Sequence, residues 1–161
     1  MDGLRRMIRG IHHVGIHTSN LDRLRDFYEK AFGFEAVGEE MRFEDYPVGA
    51  LVVGVPNPVA RVLMMKTTNC YIELFEWRSP ESEKLAPSKP YDFGYTHFMV
   101  DVDDIDAEYE RLSALGMRFV HPSPLHFGGG NASVYGQDPD GNIIEIGQIP
   151  PGNGFHLEVK A

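Results

Sequence analysis

The chain has 161 residues, 42% of them hydrophobic and 24% charged, and a formal net charge of −9 at pH 7. That length suits one ordinary domain or two small modules sharing a core, and the acidic balance argues against nucleic acid or an anionic membrane as partner, since both require a basic face. No apolar run approaches the roughly 20 residues that span a bilayer, Met1-Asp2-Gly3-Leu4-Arg5-Arg6 lacks the apolar stretch of a secretory signal, and the single cysteine, Cys70, cannot form an internal disulfide. The expectation is a soluble cytoplasmic protein whose partner is a small molecule, with Cys70 a buried small hydrophobe.

In chain order, residues 1 to 9 read as an arm. Ile11 to His17 alternates as a strand, with His13, Gly15 and His17 on one face and Val14 and Ile16 on the other, while His12 points opposite to His13 in a structural role. Thr18-Ser19-Asn20 offers N-cap candidates for a helix from Leu21 to Phe32, on which Leu21, Leu24, Phe27, Tyr28 and Ala31 recur at helical spacing, and Gly33 stops it. Strands are expected near Glu35 to Gly38, Ala50 to Val55, Ala60 to Met65 and Tyr71 to Trp77, with loops at Met41 to Gly49 and Pro56-Asn57-Pro58. The proline-bearing stretch from Arg78 onward reads as a linker. The second half then gives strand Tyr95 to Val102, helix Ile105 to Leu115, strand Arg118 to His121, loop Pro122 to Gly130 and strand Ala132 to Gly136. The turn Asp138-Pro139-Asp140-Gly141 and strand Asn142 to Gln148 complete it.

Two features of this list carry the functional argument. His13, Glu73, His97 and Glu145 each sit inside a short apolar run of strand character, where an ionisable side chain is costly unless something binds it. Their order, His-Glu-His-Glu, is also a repeat: His97 follows His13 by 84 positions (97 − 13), and Gly116 follows Gly33 by 83 (116 − 33). A strand, a helix and three strands therefore occur twice. The domain plan is a first βαβββ module over 10–77, a linker over 78–93, a second βαβββ module over 94–148 and a C-terminal tail over 149–161. Two imidazoles and two carboxylates converging in one cavity make a site for one divalent metal ion. That donor set suits Zn, Ni, Co, Mn or Fe without choosing among them.

His13 in His-Val-Gly-Ile, the helix 21–34, Glu73 in Ile-Glu-Leu, His97, and Asp138-Pro139-Asp140-Gly141-Asn142 leading to Glu145 resemble the vicinal oxygen chelate superfamily, the glyoxalase, bleomycin-resistance and extradiol dioxygenase fold. The resemblance covers roughly residues 10 to 148. It implies an α+β fold in which two βαβββ modules form a shared curved sheet around a metal cleft. It also implies that the carboxylates at positions 73 and 145 bind the metal and that one serves as base. Glu145 is taken first for that role and Glu73 as its alternate.

The expected activity is that of a metal-dependent lyase, isomerase or epimerase, in which the ion acts as a Lewis acid while a proton moves at the carbon next to a chelated carbonyl. The alternatives are a ring-cleaving dioxygenase, a metal-dependent transferase, or a drug-binding resistance protein. Glutathione-dependent glyoxalases carry Arg four residues after the first His and Asn four residues after the first Glu, where this chain has His17 and Trp77, which argues against glutathione. Methylmalonyl-CoA epimerases have Gln at the Glu73 position and a further Glu about seventeen residues earlier, where this chain has Pro56, so CoA is not implied. Period-2 alternation puts His17, Tyr71, Phe75, Trp77, Tyr95, Met99 and Asp101 beside the ligands. His17, Trp77, Tyr71 and Tyr95 are candidate substrate-binding residues, and His126, ahead of Phe127-Gly128-Gly129-Gly130, is a candidate for a lid. The edges of such sheets need covering, and a homodimer or a compact paired-module monomer is expected, the homodimer first.

Overall fold

A computed structural model describes residues 9–83 and 86–158. Two compact units divide the chain, Met1–Arg25 with Gly33–Glu81 and Asp26–Phe32 with Ser82–Ala161.

The first unit holds β1 (His13–His17), the opening turns of α1 (Leu21–Phe32), β2 (Glu35–Arg42), a 3-10 turn at Phe43–Asp45, α2 (Pro47–Val53), β3 (Val59–Lys66) and β4 (Tyr71–Ser79). Its sheet runs β1-β4-β3-β2. β1 lies parallel to β4, and the other pairs are antiparallel. Along β4 the expected alternation holds: Ile72, Leu74 and Glu76 are buried, and Tyr71, Glu73, Phe75 and Trp77 are half-buried. Two acceptors fix the start of α1. The Asn20 side chain takes the Arg23 amide at 3.0 Å, and the Glu76 carboxylate takes the Leu21 amide at 3.0 Å, so both satisfy orphan donors of the first turn. Gly33, at φ 65°, adopts the left-handed conformation that ends the helix.

Two expectations change here. The strand over Ala50 to Val55 is instead α2, begun by Pro47 at its first position and closed by Gly54 in the left-handed region. The loop over Met41 to Gly49 consists of the end of β2, the 3-10 turn and the start of α2. Phe43 on the 3-10 turn is buried with Ala60 and Val62, and Phe75 and Trp77 pack against that cluster.

The second unit holds the rest of α1, β5 (His97–Asp101), α3 (Ile105–Ala114), β6 (Arg118–Phe119), β7 (Leu125–Gly128), β8 (Asn131–Gln137) and β9 (Ile143–Gln148). Its sheet runs β5-β9-β8-β6, with β7 pairing on β8 and β5 parallel to β9. The loop expected over Pro122 to Gly130 contains β7, whose four residues are all exposed, an edge that leaves no apolar alternation to read. Asp104 caps α3 by accepting the Ala107 amide at 3.1 Å. Tyr28 of α1 is wholly buried and donates to Asp138 at 2.9 Å. Asp138 in turn accepts the amides of Asp140 and Asn142, both at 2.9 Å. This locks the β8–β9 turn, in which Gly141 has φ 88°. Burial and the Asp138 charge push the Tyr28 phenol well up, and burial likewise raises the Asp138 carboxyl despite the donors around it. No helix among the described residues is long and apolar enough to cross a membrane.

The two sheets share one arrangement: a first strand carrying a histidine lies parallel to a last strand carrying a glutamate. The mixed α+β class of the sequence reading stands, with two sheets of this construction.

Candidate metal centre

In the first unit His13 opens β1 and stands opposite Tyr71 of β4, which puts Glu73 opposite Gly15. In the second unit His97 opens β5 and stands opposite Ile143 of β9, which puts Glu145 opposite Met99. Each glutamate thus lies two residues beyond its histidine's partner on a parallel neighbour, on the same sheet face. The side chains meet in both cases. His13 Nε2 is 3.3 Å from Glu73 Oε2, and His97 Nε2 is 3.3 Å from Glu145 Oε2. Two equal His–Glu pairs follow from one strand register used twice.

The pairs suit a divalent cation by their chemistry. Each offers one imidazole nitrogen and one carboxylate oxygen, close together and still in reach of solvent, with side-chain exposures of 41% and 19% in the first pair and 30% and 21% in the second. Among the described residues no group of three or more His, Cys, Asp or Glu is gathered that could hold a metal ion. Each pair holds two of the four residues that the sequence singles out.

The surroundings of the two pairs differ. Ser133 of β8 donates a hydrogen bond to Glu145 Oε1, whereas Glu73 has no partner among the described residues other than His13. Tyr135, also on β8, stands opposite Glu145 in register, and its hydroxyl lies 3.2 Å from His97 Nε2. Burial and then the Glu145 charge push the Tyr135 phenol above its ordinary value of 10, so it stays protonated near neutral pH and acts as an O–H donor. Neither Ser133 nor Tyr135 was singled out in the sequence. The signal was present in the turn: with Asp140 at its centre, each β8 residue pairs with its mirror position in β9, and position 135 mirrors 145.

The remaining candidates scatter. His17 ends β1 opposite Phe75 and is exposed. Tyr71 stacks on His12 with ring centroids 4.9 Å apart. Trp77 stacks on Phe75 and meets Phe43, so its ring belongs largely to the small apolar cluster of its unit. Tyr95 precedes β5 and is 98% exposed. His126 lies on β7 and pairs with Asp106 at 3.2 Å, an exposed ion pair at the start of α3. Asp101, at the position equivalent to His17 in the repeat, has a buried Oδ1 without a partner among the described residues. His12, expected to face away from His13, lies before the first residue of β1 and turns a ring nitrogen to within 2.9 Å of His13 Nδ1. Cys70 is half-buried rather than buried, beside the Thr67 hydroxyl.

The chain is similar to known proteins in sequence and in fold. The chain is 28% identical over 159 residues to a 2-epi-5-epi-valiolone epimerase of an Actinomyces species, covering 93% of this chain and 85% of the relative. It is 27% identical over 146 residues to a lactoylglutathione lyase of Neisseria meningitidis serogroup A, covering 88% and 91%. A crystal structure of a glyoxalase family protein from Bacillus cereus superimposes with a TM-score of 0.77 at 23% identity, over 88% of this chain and 94% of that one. The profile of one family matches residues 10–146, and the chain belongs to it: the Glyoxalase/Bleomycin resistance protein/Dioxygenase superfamily.

Proposed function

We propose that the protein is a divalent-metal-dependent enzyme that moves a proton at the carbon next to a carbonyl of a small molecule, an isomerase, epimerase or lyase. The observation that carries this reading is the His–Glu pair built twice by the same register, His13 with Glu73 and His97 with Glu145. Together they supply two imidazoles and two carboxylates to one ion. When bound, that ion supplies Lewis-acid polarisation of a chelated substrate oxygen. Relatives named as an epimerase and as a lactoylglutathione lyase support chemistry of this class, although His17 and Trp77 stand where glutathione-dependent members carry Arg and Asn.

The residues around the pairs take distinct parts. Glu145, tied by Ser133 at one oxygen and facing His97 with the other, is the fixed carboxylate. Glu73, with His13 as its one partner among the described residues, is free to turn, so it is the base that takes the proton from carbon and returns it. This reverses the order expected from the sequence, where Glu145 came first. The Tyr135 hydroxyl, protonated beside His97, donates a hydrogen bond to a substrate oxygen as negative charge develops there. His17, Tyr71 and Trp77 remain proposed substrate neighbours. The assembly is proposed to be a homodimer of chains with two modules each, in the cytoplasm.

The test begins with metal analysis of the purified protein, followed by incubation with oxo acids, acyl thioesters and cyclic ketones in D2O. Deuterium entering next to the carbonyl without oxygen consumption supports the reading. Oxygen uptake with a catechol and Fe²⁺, without exchange on any carbonyl substrate, would replace it with ring cleavage.

A further inference from the structure

Each proposed ligand imidazole is held at its other nitrogen by the residue just before it. His12 Nδ1 lies 2.9 Å from His13 Nδ1, and Thr96 Oγ1 lies 3.0 Å from His97 Nδ1. Positions 12 and 96 are 84 apart (96 − 12), the same offset that relates His13 to His97. Neighbouring side chains in a regular strand point to opposite faces. These contacts form because β1 begins at His13 and β5 at His97, which leaves the preceding residue outside the pleat. The same departure from strand geometry, at the same point of both modules, ends on the same atom of each ligand histidine.

The first contact is itself anchored. The His12 carbonyl accepts the Tyr71 amide at 2.9 Å, and its ring stacks on Tyr71 at an interplanar angle of 17°. Tyr71 lies on β4 two residues before Glu73, so the strand that anchors His12 also carries the glutamate that faces His13.

We propose that His12 and Thr96 are positioning residues, each accepting the Nδ1 proton of the following histidine so that Nε2 keeps its lone pair for the ion. The proposal rests on the metal-binding reading above. Thr96 acts with its hydroxyl oxygen as acceptor, and His12 accepts at Nδ1 with its own proton on Nε2. At His97 the Tyr135 hydroxyl lies 3.2 Å from Nε2, within reach to donate to that lone pair in the same tautomer. An imidazole with the opposite tautomer would offer an N–H to the ion and could not bind without turning over.

The experiment compares the full-length parent with T96V, T96S, H12A and H12N, each checked for folding by circular dichroism. Mn²⁺ or Co²⁺ affinity is measured by calorimetry, and the tautomers of His13 and His97 are read in metal-free protein by long-range ¹H–¹⁵N spectroscopy. T96V and H12A should each weaken the ion by about 10- to 100-fold and shift the adjacent histidine away from the Nδ1–H form. T96S, which keeps a hydroxyl, and H12N, whose amide oxygen takes the place of Nδ1, should recover most of both. If the parent binds the ion and all four variants bind it equally with unchanged tautomers, positioning is overturned and the metal reading survives. A parent that binds no divalent ion overturns the metal reading itself, and the positioning proposal with it.

Discussion

Glu73 and Glu145 occupy equivalent places in the repeat, yet Ser133 makes them chemically unequal. Glu73→Gln should stop deuterium exchange while leaving measurable ion binding, because an amide oxygen still coordinates but cannot take a proton. Glu145→Gln, which leaves the proposed base in place, should retain exchange once the ion is saturating. Equal loss of exchange at fixed metal occupancy in the two variants would reject the division of labour. Tyr135→Phe removes one O–H donor and nothing else from the site. We expect kcat to fall by about 100-fold, the usual consequence of losing a donor aimed at developing charge, with ion affinity unchanged or slightly improved because the phenol no longer occupies His97 Nε2. His13, Glu73, His97 and Glu145 were legible in the sequence because an ionisable residue interrupting an apolar strand is conspicuous, whereas their pairing within each unit comes from the strand register. Ser133 and Tyr135 were not, since a serine and a tyrosine suit an ordinary half-buried strand and matter only through their cross-strand neighbours.

At the scale of elements, Glu76 shows what alternation alone conceals. It sits on the buried face of β4 between Leu74 and the strand's end, where the pattern calls for an apolar side chain. Its carboxylate accepts the Leu21 amide at the start of α1 and pairs with Arg61 at 3.1 Å and with Arg78, so a β4 residue secures the helix that follows β1. Burial alone would raise the Glu76 carboxyl, but the amide and the two guanidinium groups more than offset that, and it lies below its ordinary value of 4.5. A carboxyl lowered in the folded state contributes stability above about pH 4.5, and that contribution disappears as pH falls through its folded value. Glu76→Gln should therefore cost about 2 kcal/mol near neutral pH, and the denaturation curves of variant and parent should converge below the carboxylate range; a constant gap down to pH 3 would refute the assignment. Asp104→Ala, which removes the α3 cap, should cost about 1 kcal/mol at neutral pH in the same measurement. The long helices were readable because caps, periodicity and terminal glycines agree. The short α2 was not, because Leu51-Val52-Val53 is an apolar, β-branched run that suits a strand equally well. Only Pro47 and Gly54, at its two ends, mark it as helix.

At the scale of the whole molecule, the arithmetic of ligands decides what must assemble. Each unit holds one imidazole beside one carboxylate, and no group of three or more candidate ligands is gathered among the described residues. The proposed four-ligand set would draw on both halves, the His–Glu pair of each unit. In a homodimer with two-fold symmetry, a first half from one copy and a second half from the other would form two equivalent sites. That arrangement makes a sharp prediction for a mixture of two inactive variants. His13→Ala breaks the first half and His97→Ala breaks the second, so each variant alone has no intact site. Unfolded and refolded together, half of the dimers should be mixed, and each mixed dimer joins one intact first half to one intact second half. About a quarter of the parental exchange activity and ion capacity should return on random pairing. Both variants should sediment as dimers before mixing, since neither substitution touches a buried apolar residue. If each variant is dimeric and subunits exchange, yet no activity returns, the four ligands come from within one chain.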